Sequence, residues 1–180
     1  MAGMFRELRA DEIECRVSRI VQTKQKLGVV LLLYTDARTC SDVLDEAVSP
    51  ENWQDKYYEC KGNLYCSVGI HIARNCGESS EWIWKDDCGT ESNMEKAKGE
   101  ASDAFKRACY RWGVAKELYT APFIWIKDTD CKHLYQDNNS TWKCLDKFYV
   151  RLVDYDDGVI SKLVIENQDH EIVFTYGDLR

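Results

Sequence analysis

The stretch GEASDAFKRACYRWGV (99–114) decides how this chain is read. At 3.6 residues per turn, Ala101, Ala104, Phe105, Ala108 and Trp112 fall on one face. Extending the segment backward adds Met94 and Ala97 to that face. Four of the seven apolar positions are alanine, so the helix can approach a sheet closely. Lys96, Asp103, Lys106, Arg107, Tyr110 and Arg111 gather on the opposite side. Over 93–116 six bases face three acids, a local surplus of +3 in a chain of formal charge −7. Two uses of such a face remain open: a solvated surface laced by pairs such as Asp103–Arg107, or a contact for phosphates. Ser92 and Glu95 have the spacing of a capping box, and Gly113 suits a C-cap.

Working outward, an antiparallel meander precedes this helix. The pattern predicts strands over 53–60, 64–73 and 81–86, with turns at KGN and NCGESS. The strand at 64–73 alternates most clearly, through Leu64, Cys66, Val68, Ile70 and Ile72. Upstream, Cys40, Val43, Leu44 and Ala47 predict a helix over 37–48, capped by Asp36 and ended by SPEN. A hairpin is expected from 14–21 and 27–34, with a basic connection at Lys24 and Lys26. Residues 4–10 are expected to form a short helix. The polar stretch KDTDCKHLYQDNNST (127–141) shows no periodicity and is expected to be a mobile loop. Beyond it, strands are expected over 147–154, 159–166 and 171–176.

The 180 residues suit one α+β domain, with a core over 1–145 and an acidic β-rich extension of the same domain over 146–180. Residues 152–180 hold seven acids and two bases, which accounts for most of the net charge. No apolar run is long enough to span a bilayer, and MAGMFRELRA lacks the apolar core of a signal peptide. A cytoplasmic protein with no membrane partner is expected. The nine cysteines include no CxxC pair, so free thiols, mostly buried with some at the surface, are expected rather than a zinc site. His71 has no partner at ligand spacing, and His133 and His170 read as isolated. No phosphate-cradling GxxxxGK, GxSxG or HExxH occurs. No catalytic residue, metal or cofactor is therefore assigned.

Several segments together are more specific than any one pattern. DARTCSDVLDEAVSPENW, the meander, DCG, and EKAKGEASDAFKRACYRWGVAKELY resemble the Rad fifty-two/twenty-two family of single-strand annealing proteins. The resemblance covers 8–120 and is closest to the phage and bacterial branch of Sak and DdrA types. Its most specific element is K-A-x-x-E-A-x-D-x-x-K-R-A-x-x-x-x-G, spanning 96–113.

The resemblance implies a β-β-β-α core flanked by the hairpin, a helix and the C-terminal β extension. It implies a homo-oligomeric ring or filament that holds single-stranded DNA by its phosphates and anneals it without ATP, in recombination and repair. A single-strand-binding or replication protein is a further expected partner, in a bacterial or phage-infected cell. By residue, it assigns DNA contact to Lys106 and Arg107, to Arg16 with Arg19 as the other register, and to Tyr34. Lys96, Arg111, Lys24 and Lys26 join the candidate set. Tyr110 stands where eukaryotic members carry another arginine. Two competing functions are a binder that protects DNA ends without annealing, and a metal-dependent nuclease built on Asp86, Asp87 or Glu91.

Overall fold

A computed structural model describes residues 4–72, 80–90 and 96–178, with the backbone alone for 96–98. In chain order the elements are β1 (Glu14–Gln22), β2 (Leu27–Tyr34), α1 (Ala37–Val48), β3 (Trp53–Cys60), β4 (Asn63–Ile72), β5 (Glu81–Cys88) and α2 (Lys96–Trp112). They continue with β6 (Ile124–Lys127), β7 (Leu134–Gln136), β8 (Trp142–Cys144), β9 (Phe148–Asp156), β10 (Val159–Asn167) and β11 (Ile172–Tyr176). The chain is mixed α+β, with antiparallel strand pairs and two α-helices among the described residues. It divides into two compact units. One holds Met1–Glu7 and Asp36–Lys116; the other holds Leu8–Thr35 and Glu117–Arg180.

In the first unit, β3, β4 and β5 form a three-stranded sheet with β4 central. Lys61 and Gly62 turn β3 into β4 with positive φ of 53° and 75°. α1 starts where Asp36 accepts a hydrogen bond from the Thr39 amide at 2.8 Å. It ends at Ser49, whose φ of 68° carries the chain into Pro50. α2 packs on β4 and β5, burying Ala104, Phe105, Ala108 and Cys109. The alanines permit close approach, and so does Gly89. A β-carbon there would lie 2.3 Å from the Glu100 carbonyl oxygen. Val43, Leu44, Cys66, Val68 and Ile70 complete this core. The expected capping box at Ser92 and Glu95, Met94 and most of the NCGESS turn lie outside the described residues.

In the second unit, a six-stranded sheet runs β11-β10-β9-β1-β2-β6. Its edge strands β11 and β6 approach each other, so the sheet curls toward closure. The sheet draws on both ends of the chain. The β1–β2 hairpin meets β9 at Glu14–Tyr149, and Ile160, Leu163 and Ile165 of β10 are buried as deeply as Val29 of β2. β6 is absent from the sequence expectation: four residues after Pro122 show no period. It pairs with β2, and Trp125 lies over Gly28, where a β-carbon would come within 2.5 Å of the indole.

Two local expectations are corrected. Residues 4–10 form no helix; a single 3-10 turn occupies Ala10–Glu12. The Leu8 amide, which a helix would need, instead donates to Glu117 Oε1 at 2.7 Å. The polar stretch after β6 is not a structureless loop. It contains the β7–β8 hairpin, organised by Asp137, whose carboxylate accepts the Asn139 and Thr141 amides at 2.9 and 2.8 Å. Of the described cysteines, Cys40, Cys66 and Cys109 are buried while Cys60 is exposed. Burial pushes the Cys15 and Cys66 thiols up to about 12. Cys76 lies outside the described residues.

Candidate nucleic-acid interface

α2 and β5 meet in steps. Residues two apart on a strand share a face, and residues four apart on a helix share a side. Lys85, Asp87 and Gly89 therefore meet Arg111, Arg107 and the Glu100–Asp103 turn in succession. Lys85 Nζ donates to the Arg111 carbonyl at 2.9 Å and lies 4.3 Å above the Trp112 ring. Arg107 Nε donates to Asp87 Oδ1 at 3.2 Å. At the far step, Gly89 seats against Glu100, and the Thr90 amide and hydroxyl donate to Asp103 Oδ2 at 3.0 and 2.8 Å. Arg111 Nη1 reaches across to the Asp86 carbonyl at 2.7 Å, and Trp112 Nε1 donates to Val68 O at 2.9 Å.

These contacts fix the outer face of α2. Arg107 and Arg111 are exposed, while Lys106 and Tyr110 are half-buried. Lys96 begins the helix, but its side chain lies outside the described residues. The result is a mixed surface, with cations held in place by neighbouring carbonyls and one carboxylate. An exposed pair like Arg107–Asp87 adds little stability, so a phosphate can compete for the guanidinium. Lys85 belongs to this set and is absent from the sequence expectation. The signal was available: the alternation of EWIWKDDC puts Lys85 and Asp87 on one face.

Asp86 and Asp87, the described candidates for a nuclease centre, are engaged structurally. Asp86 accepts hydrogen bonds from the Ser67 hydroxyl and from Tyr58 at 3.2 Å. Asp87 accepts from Arg107 and from the Cys88 amide at 2.8 Å. The third candidate, Glu91, lies outside the described residues.

The other candidates belong to the second unit. Arg16 pairs with Leu32 and Arg19 with Val30 across the hairpin, with a register shift between Val17 and Arg19. In a regular strand, residues three apart face opposite ways. The bulge at Ser18 restores the phase, so Arg16 and Arg19 share one face, and both are exposed. They need not be alternatives. The Arg16 guanidinium lies 5.5 Å from the Tyr34 ring centroid, a cation–π contact. The Tyr34 hydroxyl donates to Glu14. Burial, then that hydrogen bond, pushes the Tyr34 phenol up to about 12. Lys24 and Lys26 are exposed in a turn closed by Thr23, whose Oγ1 accepts the Lys26 amide at 3.0 Å. Lys26 also lines an open cleft of about 510 Å³ with Trp125 and Lys127, two residues the sequence expectation omits.

No family model matches the chain, and no solved structure matches it. Among curated proteins it is similar to two named single-stranded DNA-binding protein DdrA. The relative from Deinococcus deserti is 31% identical over 112 residues, covering 62% of this chain and 53% of the relative. The relative from Deinococcus radiodurans is 28% identical over 110 residues, covering 60% and 50%. The chain spans about half the length of the curated relatives it matches.

Proposed function

We propose that this protein binds single-stranded DNA by its phosphates and anneals complementary strands without ATP. The observation that carries this reading is the outer face of α2. Lys106, Arg107 and Arg111 are presented from a helix locked to its sheet by Gly89, Ala104, Ala108 and the Lys85–Arg111 contact. Cations on a rigid support neutralise phosphates without a further ordering cost. Similarity to relatives named for single-stranded DNA binding supports the same ligand. The arginines and Tyr34 on the β1–β2 hairpin are a second candidate contact, since guanidinium groups fork phosphates and an aromatic ring stacks bases.

The finer reading follows the sequence resemblance. The β3–β4–β5 sheet with α2 serves as the β-β-β-α core of a Sak- and DdrA-like annealing protein. Copies assemble into a ring or filament that leaves bases open to a complementary strand. The protein then acts in recombination and repair in the cytoplasm of a bacterial or phage-infected cell.

The test is the double variant Lys106→Ala/Arg107→Ala, assayed by fluorescence anisotropy on a labelled oligothymidylate. We expect binding to fall at least tenfold at about 150 mM salt, with the log–log salt slope reduced by about 1.4. Far-UV circular dichroism and melting should stay close to wild type. Unchanged affinity would remove α2 from the interface. Mixing complementary dye-labelled strands separates annealing from simple end protection, which leaves the pairing rate unaltered. Electron microscopy with and without single-stranded DNA tests assembly.

A further inference from the structure

The strongest feature left unused lies in the second unit, at the base of the β7–β8 hairpin. Cys131, Cys144 and Asp146 bring two sulfurs and a carboxylate oxygen within 4.8 Å of one another. The arrangement comes from two short arms. The 3-10 turn Asp128–Asp130 ends at Cys131, whose amide donates to Asp128 O at 3.1 Å. The chain then enters β7, while β8 returns alongside it with Leu134 opposite Cys144. The Leu145 amide donates to His133 O at 3.1 Å, so the arms run together past the strand ends. The sequence reads Cys-x-His on one arm and Cys-x-Asp on the other.

We propose that Cys131, Cys144 and Asp146 bind a zinc-type divalent cation, with His133 beside them as the fourth ligand or the group that orients Asp146. Ligands about 2.1–2.3 Å from a tetrahedral zinc stand roughly 3.4–3.8 Å apart. Cys144 Sγ lies 3.5 Å from Asp146 Oδ2. Two thiols with one carboxylate favour zinc over magnesium or calcium, which prefer all-oxygen sets.

The surroundings are those of a built site. The Asp146 side chain is only 1% exposed. Its Oδ2 accepts the Lys132 and His133 amides, each at 3.0 Å. Its Oδ1 faces His133 Nδ1 at 3.0 Å and accepts from Gln168 at 3.0 Å. Carboxylate–histidine pairs of this kind hold metal ligands in orientation. Lys132 ties the Cys131 arm to the β10–β11 turn, with Nζ 2.8 Å from both Asp169 and Glu171. The need for a clamp is physical as well. Strands of three residues have little stability of their own, and a cation would pin both arms at their base.

The test uses the full chain, stripped with EDTA under a thiol reductant and titrated with Co²⁺ as a spectroscopic probe. We expect one equivalent per chain, a thiolate-to-cobalt charge-transfer band, and its loss when Zn²⁺ is added. Cys131→Ser and Cys144→Ser should each abolish the band, while Cys60→Ser and Cys15→Ser should keep it. His133→Ala should weaken zinc about ten- to hundredfold. Asp146→Asn guards against a folding artefact. It keeps an oxygen for both arm amides but loses the anionic ligand, so it should fold by circular dichroism and bind zinc more weakly. The proposal is overturned if the wild type takes up no metal. It is equally overturned if the band survives both cysteine variants, or if mass spectrometry of unreduced protein finds Cys131 and Cys144 joined as a disulfide.

Discussion

Arg107 illustrates how a single side chain can be poised rather than idle. Its Nε sits 3.2 Å from Asp87, and both side chains keep contact with solvent, at 45% and 22% exposure. Such pairs contribute well under 1 kcal/mol, so under the proposed function Asp87 would act mainly as a competitor for an incoming phosphate. Asp87→Asn keeps the acceptor for the Cys88 amide and removes the charge. We expect single-stranded DNA affinity to rise about threefold, with stability changed by less than about 1 kcal/mol, measured by anisotropy and thermal melting. The pair of Arg107 with Asp87 was not legible in the sequence, where the i, i+4 neighbour Asp103 was the visible partner. Helix spacing reveals partners along one element and is silent about the strand beneath it. The same holds for Arg16 and Arg19. They read as alternative registers until the bulge at Ser18 placed both on one face. Tyr110, half-buried on α2, occupies a position where the resemblance implies a cation.

At the scale of elements, boundaries were legible wherever a side chain closes the backbone locally. Asp36 at the start of α1 is the clearest case. The Thr39 amide holds its carboxyl below the usual carboxylate range against the opposing effect of burial. A depressed carboxylate stabilises the fold above its unfolded pKa, and that contribution is lost as pH falls through the folded value. Asp36→Ala should cost about 1 kcal/mol at neutral pH. The gap from wild type should narrow below about pH 3.9, as followed by urea denaturation across pH. The β3–β4–β5 sheet and α2 were equally legible, because alternation and the alanine stripe are strong signals. β6, β7 and β8 were not. Strands of three or four residues carry no measurable period, and their pairing depends on distant partners such as β2. The Cys131–Cys144 cluster escaped for a related reason. Its two halves are separated by the hairpin that unites them, and only the paired x-spacings of Cys-x-His and Cys-x-Asp hinted at it.

On the scale of the whole molecule, the acidic C-terminal stretch changes meaning. By charge alone it reads as an acidic β-rich extension of the domain, with deletion of 152–180 as the obvious probe of its electrostatic role. Its strands instead bury Ile160, Leu163 and Ile165 in the same sheet as the β1–β2 hairpin. Deleting 152–180 would unfold the second unit and say nothing about electrostatics. Substituting exposed acids is the cleaner probe. Asp156→Asn/Asp157→Asn alters the turn between β9 and β10, and Asp157, at φ 49°, tolerates asparagine. If the acidic surface repels DNA, affinity should rise about twofold at low salt and converge with wild type at high salt. Equal affinity across the salt series would dismiss that role. The shared sheet also sets a timetable for synthesis. β1 and β2 leave the ribosome first, yet β9 and β10 arrive only after the whole of residues 36–116 has been made. At about 5–20 residues per second, the apolar run VVLLLY waits on the order of ten seconds for its cover. During translation that uncovered hairpin, more than any surface of the finished protein, is what a chaperone would meet.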